Sequence, residues 1–287
     1  MKPLHPYAGY TAVLATMHGK EEAIREPFID GLGLDIVTPN IIDTDVFGTF
    51  TGEIRRETGI KDTAIAKARL GMQLTGLPIG IASEGSFGPH PEIPMIPADI
   101  ELMVLVDSQR DLILSQWLIC EETNFAHIEI DTTRDISSFL TQVEFPSHAL
   151  IVRSNKPVHS KPFVSKGIID KRSLLGAIKS AAENSFDGNA FVQTDMRAHF
   201  NPTRMKVLRQ LANQFVEKLK TLCPSCNSPG FGRVDVERGL PCGVCGTPTR
   251  WVKVDIFGCE CCGLREARER SDGIRTTGQE SCPTCNP

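Results

Sequence analysis

The chain has 287 residues, of which 40% are hydrophobic and 23% are charged. This composition is typical of a folded globular protein with a substantial core, so it excludes a mainly disordered chain. It also excludes a membrane-spanning protein, since no stretch approaches the run of about 20 apolar residues that a bilayer requires.

The formal net charge of -4 hides an uneven distribution along the chain. Residues 1–152 carry 10 Lys/Arg and 22 Asp/Glu, residues 153–222 carry 13 and 5, and residues 223–287 carry 8 and 8. An acidic half and a basic segment suit a site that holds a divalent metal on one wall and anionic groups on the other, although a mixed solvated surface has the same charges. The first residues lack the unbroken apolar run of a secretory signal, so we expect a cytoplasmic protein.

The first elements in chain order alternate between strands and helices. Apolar runs predict strands at residues 11–15, 34–37 and 77–82, and the apolar periodicity predicts helices at 21–33 and 61–76. This alternation indicates the opening of an α/β layer fold. The loop before the first helix would offer free N–H groups to an anion, and Lys20 would add a positive charge.

A loop rich in glycine and proline, residues 83–94, is predicted to follow the strand at 77–82. Catalytic groups are common where a strand of an α/β sheet runs into such a loop. Residues 99–107 and 111–122 are two apolar runs that we predict to be paired strands.

Several short motifs in this half follow one another in a recognisable order. They are LATMHGKE in the first loop, GLDIV at the second strand, RETG at residues 56–59, DTAIAKAR at 62–69, TGLP at 75–78 and SEGS at 83–86. In this order they resemble the inosine triphosphatase family of nucleoside-triphosphate pyrophosphatases, also called the HAM-type or Maf-like fold, over residues 10 to about 120. His18 stands where that family usually has an asparagine.

The resemblance implies a Mg²⁺-dependent hydrolase that releases pyrophosphate from a nucleoside triphosphate. It implies that Glu57 and Glu84 hold the Mg²⁺, with Glu84 as the surviving carboxylate of an aspartate pair. It also implies that Lys67 and Lys20 bind the triphosphate, with His18, Ser83 and Ser86 beside them. Metal, lysines and carboxylate would act by stabilising charge and by positioning the attacking water.

One departure from the family bears directly on activity. Ser83 replaces one acid of the pair, and either Asp99 or Glu101 could supply the missing carboxylate, since residues two apart on a strand share a face. Without such a replacement, the chain would bind nucleotides without hydrolysing them, or act on a different phosphate compound.

The middle of the chain is predicted to continue the mixed pattern. Strands are predicted at residues 127–131 and 149–154, and helices at 135–145, 170–184 and 201–222. The last helix begins with an Asn-Pro pair, which suits an N-cap followed by a first turn.

Charged and polar residues are dense just before that last helix. Arg197 and Arg204 suit a phosphate as fork donors, and His199 suits a proton donor or a ligand. The resembled family also places a His-Arg pair late in its chain. The alternative is an ion pair between Asp195 and Arg197 that fixes the helix onto the sheet.

Nine of the ten cysteines follow Leu222, and eight of them form four C-x-x-C pairs. Two such pairs complete a tetrahedral four-thiolate site, so the tail predicts two structural Zn²⁺ ions rather than a disulfide framework or a redox dithiol. The predicted ligands are Cys223, Cys226, Cys242, Cys245, Cys259, Cys262, Cys282 and Cys285.

The four C-x-x-C pairs, which we call knuckles, can share two ions in two ways. A single strand at 251–257 would separate the second knuckle from the third by more than about 20 Å, which favours pairing the first with the third and the second with the fourth. A hairpin at residues 271–273 would instead favour sequential pairing.

We therefore predict a mixed-sheet α/β domain resembling inosine triphosphatase at residues 1–222, followed by a small β-rich two-zinc module at 223–287. The first hypothesis is a hydrolase of a small-molecule phosphate substrate, and the second keeps the fold but changes the reaction. The third is a non-catalytic nucleotide sensor or scaffold whose tail docks a protein partner. Nucleic acid is not an expected partner, because the tail carries no excess of basic residues and four-thiolate zinc sites add negative charge.

Overall fold

A computed structural model describes residues 4–40, 42, 58–159 and 162–287, which form three β-sheets with five α-helices. The first sheet contains β1 (Thr11–Leu14), β2 (Asp35–Val37), β3 (Ile79–Pro89), β4 (Pro97–Asp107) and β5 (Leu112–Cys120). Its strand order is β2-β1-β3-β4-β5, and β1 runs parallel to both of its neighbours while the other pairs are antiparallel.

Helices cover both faces of this five-stranded sheet. On one face, α1 (Glu21–Leu32) and α5 (Pro202–Lys220) pack on a core that includes Ile81 and Leu105. On the other face, α2 (Ile60–Thr75) packs on a core that includes Ala82 and Val104. The alternation of side chains along β3 and β4 therefore divides the apolar residues between two cores.

The helix ends follow the local sequence. The residues after α1 and α2, Gly33 and Gly76, adopt left-handed conformations with φ of 66° and 69°, as helix C-caps often require. At the start of α5, the side chain of Asn201 accepts a hydrogen bond from the Arg204 backbone N–H at 2.9 Å, which confirms the predicted N-cap. Among the described residues, no helix is both long and apolar enough to traverse a lipid bilayer.

A second, four-stranded sheet has its own core. Its order is β6-β9-β7-β8, formed by β6 (His127–Ile130), β7 (Leu150–Ser154), β8 (Val164–Ile168) and β9 (Ala190–Thr194). The helices α3 (Ser137–Gln142) and α4 (Lys171–Glu183) contribute to that core. The described residues between 4 and 222 are thus mixed α/β, as predicted, but they form two sheets. The sequence pattern did not predict β8, and the domain boundary at residue 222 stays a prediction.

The predicted loop after residue 82 is wrong in its first part. Strand β3 continues through Ser83–Pro89 and pairs with β4 over its whole length, with Glu84 opposite Leu102 and Gly85 opposite Glu101. Glycine, serine and proline have little intrinsic preference for strands, so the pairing with the apolar β4 imposes this conformation. The residues predicted at a loop site therefore lie on a rigid strand.

The third sheet lies in the cysteine-rich module, residues 223–287. Its strands β10 (Gly232–Arg238), β11 (Val252–Gly258) and β12 (Arg265–Glu269) form an antiparallel meander in chain order. The module rests against β5 at Gly230, where an added Cβ would lie 2.9 Å from Leu114. Gly230 also has a φ of 86°, so both the contact and the backbone conformation favour glycine there.

Candidate functional site

Polar side chains gather where β1 ends and β3 continues past it. The last hydrogen bond between the two segments runs from the Ala15 N–H to the Ile81 carbonyl at 2.9 Å, so Ser83 and Glu84 extend beyond β1. The side chain of Lys20, from the start of α1, occupies this end. Its Nζ donates to the Ser83 carbonyl at 2.8 Å and to Ser83 Oγ at 3.0 Å.

Glu84 faces the opposite side of the sheet and meets α2. Its carboxylate forms an ion pair with Lys67, and both side chains are about nine-tenths buried or more. Because neighbouring residues of a strand point to opposite faces, Ser83 and Glu84 connect the two sides of the sheet at this end. Three residues that lie far apart in the sequence, Lys20, Lys67 and Glu84, therefore meet around one strand.

A second buried ion pair lies on the α1 and α5 side. Arg204 Nε donates to Glu101 Oε1 at 2.6 Å, and Arg204 Nη1 donates to the Met196 carbonyl at 2.5 Å. Both charged side chains are fully buried. A Cβ at Gly85 would lie 2.6 Å from both Arg204 Nη2 and Glu101 Oε1, so only glycine leaves room for this pair across β3. We refer to Lys20, Lys67, Ser83, Glu84, Glu101 and Arg204 as the polar cluster.

Asp99 lies beside the polar cluster on the same face of β4 as Glu101. Burial and the nearby Glu101 carboxylate raise the pKa of Asp99 to about 8. Its Oδ1 and Glu101 Oε2 are buried and accept no hydrogen bond from the described residues. Since buried polar atoms normally have a partner, these two oxygens mark a place where water or a ligand would be accommodated.

The charges of the polar cluster act on one another. Burial, and then the charge of Arg204, lower the pKa of Lys20 to about 8, while Glu101 and Glu84 oppose this shift. Lys20 therefore carries its charge at pH 7 and loses it above about pH 8.

The predicted late cluster meets the loop between β1 and α1. The rings of His18 and His199 lie 5.2 Å apart between centroids, and a Cβ at Gly19 would lie 3.5 Å from that of His199. Burial and the charge of Lys20 lower the pKa of His18 to about 3, and burial and Arg197 lower the pKa of His199. His18 is thus neutral at pH 7 and suits a hydrogen-bonding role.

Arg197 forms the ion pair with Asp195 that we predicted as the alternative to phosphate binding. Its Nε donates to Asp195 Oδ1 at 3.0 Å and its Nη2 to Oδ2 at 2.6 Å. Asp195 also accepts from the Gly167 backbone N–H at 3.1 Å, so this fully buried carboxylate ties the segment before α5 to β8. Arg204 is likewise engaged, with Glu101, and roles for both arginines in substrate binding stay predictions.

The remaining predicted residues are placed as follows. Ser86 lies two positions after Glu84 on the same face of β3 and is partly buried. Glu57 lies outside the described residues. The ion pair of Glu101 with Arg204 was not predicted. The sequence shows that Glu101 lies two residues after Asp99, but it does not show that its partner is an arginine about one hundred positions away.

The described residues do not build the predicted Mg²⁺ site by themselves. In the part of the chain that the structure describes, the only sets of three or more metal-binding side chains that converge are formed by cysteines. Glu84 is already paired with Lys67, and the other predicted ligand is Glu57. The donor set at the polar cluster therefore does not fit Mg²⁺ without residues from outside the described ranges.

Two groups of four cysteines lie in the cysteine-rich module. Cys223, Cys226, Cys259 and Cys262 form one group, and Cys242, Cys245, Cys282 and Cys285 form the other, with all sulfurs of a group within 4.8 Å of one another. Sulfur pairs such as Cys226–Cys259 at 3.6 Å and Cys223–Cys262 at 3.7 Å match the separation of about 3.8 Å between thiolates of a tetrahedral Zn²⁺ site. The interleaved pairing is confirmed.

Each knuckle closes with the same backbone turn. The carbonyl of the first cysteine accepts a hydrogen bond from the N–H four residues later, at Asn227, Gly246, Gly263 and Asn286, over 2.9–3.1 Å. Asn227, Gly246 and Gly263 have φ values of 60°, 73° and 73°. Glycine and asparagine tolerate this conformation best, so the residue after the second cysteine is a sequence signal for the knuckle.

The thiols within each group differ in acidity. Burial raises the pKa of Cys259 to about 12, and the hydrogen bond with Cys245 raises the pKa of Cys285 to about 12. Hydrogen bonds from Ser228 lower the pKa of Cys226 to about 6, and those from Thr247 lower the pKa of Cys245 to about 6. Since the thiolate is the metal-binding form, Cys226 and Cys245 are the first thiols of their groups available to a metal at neutral pH, and binding of the metal displaces the remaining protons. Cys261 belongs to neither group.

Most of the chain matches a known family model. Residues 67–287 match a family described as a domain of unknown function, DUF6671. The matched segment spans 221 of the 287 residues, with both cysteine groups and all of the polar cluster except Lys20. No curated protein matches the chain.

Proposed function

The chain belongs to the DUF6671 family, and we propose that it is a hydrolase that releases pyrophosphate from a nucleoside triphosphate or a related phosphate compound. The observation that carries the proposal is the meeting of Lys20, Lys67 and Glu84 around the end of β1. The sequence resemblance assigns these three residues to phosphate binding and catalysis, although they come from three separate elements. The order of β1, its loop, α1 and β2 also supports a fold like that of inosine triphosphatase.

The geometry suggests what each residue does. Lys20 is the residue that precedes α1, so the positive end of the helix dipole adds to its charge and a phosphate group is attracted to this end of the sheet. Lys67 holds Glu84 in the absence of substrate. A bound phosphate competes for Lys67, and this frees the Glu84 carboxylate to orient the attacking water and accept its proton. The water oxygen bonds to the α-phosphorus, the bond to the bridging oxygen breaks, and pyrophosphate leaves.

Magnesium enters the proposal through the resemblance alone. A bound Mg²⁺ would neutralise phosphate charge, and Glu57 with Glu84 would be its ligands by analogy. We derive no step through the metal, because the described residues do not complete its site. The tail is proposed to hold two structural Zn²⁺ ions and to provide a surface for a protein partner.

A second candidate, a nucleotide sensor without turnover, is favoured by a specific observation. Both carboxylates of the polar cluster form ion pairs, Glu84 with Lys67 and Glu101 with Arg204. Such a site could bind a phosphate through Lys20 and change its pairing without cleaving a bond.

The test is to incubate the zinc-loaded protein with a panel of nucleoside triphosphates, with and without Mg²⁺, and to measure pyrophosphate and monophosphate. We expect activity to be lost in Glu84→Gln. Because breaking a buried ion pair also costs stability, the double variant Lys67→Met/Glu84→Leu is included, which we expect to stay folded and inactive. The matched control is Lys179→Met/Glu183→Leu, an exposed pair on α4.

Three outcomes are distinguishable. Turnover that survives in the folded double variant contradicts the proposed roles of Lys67 and Glu84. Nucleotide that raises the melting temperature without release of pyrophosphate supports the sensor. Neither turnover nor stabilisation with any triphosphate contradicts both candidates.

A further inference from the structure

A cavity in the cysteine-rich module lies beside the start of β11, away from both cysteine groups. Its volume is about 460 Å³, within the usual range for small-molecule sites. Four arginines and one tryptophan dominate its lining: Arg233, Arg238, Arg250, Arg270 and Trp251. The module as a whole has equal numbers of basic and acidic residues, but this cavity has four arginines and two aspartates.

The two aspartates offset only two of the four arginines. Arg233 pairs with Asp255 at 3.2 Å, and Arg270 Nε donates to Asp272 at 2.9 Å. Arg238 Nη1 donates to the Arg250 carbonyl at 2.8 Å and has no carboxylate partner in the described ranges. The guanidinium of Arg250 forms neither a hydrogen bond nor an ion pair with any described residue. Two positive charges in the cavity are therefore uncompensated.

Trp251 supplies an exposed aromatic surface next to these charges. Its side chain is 50% exposed, which is unusual for so large an apolar group. Its backbone is held in place, since the Gly239 and Leu240 N–H groups donate to the Trp251 carbonyl at 3.0 and 3.2 Å. The ring therefore extends from an anchored backbone directly before β11, and its exposed part is open to a stacking partner.

We propose that this cavity binds a mononucleotide, with the base stacked on Trp251 and the phosphate held by Arg238 and Arg250. Arginine matches a phosphate with two parallel hydrogen bonds, and indole is a strong stacking surface for any base. A nucleic-acid strand is disfavoured, because the rest of the module carries four basic and six acidic residues and offers no basic path for a backbone. The site shares no residue with the polar cluster, so it does not depend on the proposed hydrolase.

The test uses the fluorescence of Trp251 in the full, zinc-loaded chain. The protein has two tryptophans, so Trp117→Phe leaves Trp251 as the only reporter. We expect AMP to quench this fluorescence saturably, and adenosine or inorganic phosphate to bind at least about tenfold more weakly, because each makes only part of the contacts.

Variants distinguish binding in this cavity from nonspecific attraction to the positive charge of the module. Arg250→Ala removes a side chain with no structural partner, and we expect about tenfold weaker AMP binding. Arg275→Ala makes the same charge change in the same module outside the cavity, at a side chain that is 81% exposed, and should alter binding by less than about twofold. By calorimetry, Trp251→Ala should weaken AMP binding while Trp117→Ala should not.

Four results would overturn the proposal: no saturable quenching by AMP, equal binding of inorganic phosphate and AMP, equal effects of Arg250→Ala and Arg275→Ala, or much tighter binding of a short single-stranded oligonucleotide. Quenching by AMP should persist in Lys67→Met/Glu84→Leu. That variant keeps failure of this site separate from failure of the proposed hydrolase.

Discussion

The polar cluster and the cysteine-rich module organise charged side chains in opposite ways. In the module, the cysteines come in pairs that lie within four residues of each other on short turns. Only a small apolar core, around Phe231, lies beside them. The polar cluster brings together Ser83 and Glu84 from β3 and one residue each from the start of α1, α2, β4 and α5, beside two large apolar cores. In the module an ion would supply stability, whereas in the polar cluster the fold supplies the stability that holds the charges in place.

Function and structure are easier to separate in the cysteine-rich module than in the polar cluster. A knuckle of the module can be removed with a predictable loss of one site. In the polar cluster, Glu101 and Arg204 are as much part of the core as Leu105, so a variant can lose activity by losing the fold. Experiments on the two regions therefore need different controls.

The largest effect should follow removal of one metal site. Zinc binding to structural four-cysteine sites contributes about 10–16 kcal/mol, so Cys259→Ser should lower the zinc content from two ions to one and unfold the module locally. Elemental analysis and amide hydrogen exchange measure these changes. Cys261→Ser is the matched control and should keep both ions, because Cys261 belongs to neither group.

A double substitution tests which knuckles share an ion. In the interleaved arrangement, Cys223 and Cys259 bind the same ion. The double variant Cys223→Ser/Cys259→Ser should therefore still hold one zinc ion. Loss of both ions in that double variant would instead indicate sequential pairing.

The next largest effect should follow the breaking of the buried ion pair in the polar cluster. Arg204→Met leaves Glu101 buried without its partner, which we expect to lower the free energy of unfolding by about 3–5 kcal/mol. The double variant Arg204→Met/Glu101→Leu should recover most of this loss. Urea unfolding of the zinc-loaded protein measures both.

Arg209→Met provides the control, because Arg209 lies on the same helix, α5, and pairs with Glu26 at an exposed position. It should cost less than about 1 kcal/mol. A similar cost at Arg204 and Arg209 would contradict the assignment of a buried, structural ion pair.

A smaller effect should follow the addition of one methyl group at Gly85. Its Cβ would contact Arg204 and Glu101 at 2.6 Å, so Gly85→Ala should destabilise the fold by about 1–3 kcal/mol. Gly88→Ala on the same strand meets nothing within 4 Å and should be close to neutral. Thermal melting of the two variants side by side distinguishes crowding from a general loss of glycine.

The last expected effect is a change in the pH dependence of stability, at Asp99, and not a loss of stability at one pH. Its pKa is about 8 in the fold and about 3.8 when unfolded, so the folded state holds the extra proton between these values. The stability associated with this proton is present below about pH 4 and is lost as the pH rises to about 8. Asp99→Asn should remove this part of the decline, seen as a flatter curve of unfolding free energy between pH 5 and pH 8 relative to the wild type. An unchanged curve would contradict the raised pKa.

The sequence predicted the cysteine sites well because their information is local. The C-x-x-C spacing predicts the eight ligands, and the single strand at 251–257 favours the interleaved pairing over the sequential one. The helices α1, α2, α4 and α5 were also predicted, since their apolar periodicity and end residues agree with the structure.

The rest of the fold depends on contacts that no local pattern contains. Ser83–Pro89 has a loop-like composition and is a strand only because β4 pairs with it. Strand β8 contains Gly167 at a φ of 68° and lies beside an irregular register, so its five residues show no alternation to recognise. In the polar cluster, the family resemblance selected Lys20, Lys67 and Glu84, but the partner of Glu101 lies 103 residues away and only folding brings it there.

The alternation of the two cysteine groups along the chain has a consequence for synthesis. A nascent chain leaving the ribosome exposes Cys223, Cys226, Cys242 and Cys245 before Cys259 and Cys262 exist, so the first complete set of four thiols is a non-native one. An early ion captured there must be handed over when the third knuckle emerges and β11 straightens. Zinc bound during translation would therefore have to exchange ligands, whereas zinc bound after release would meet both native sets of four thiols.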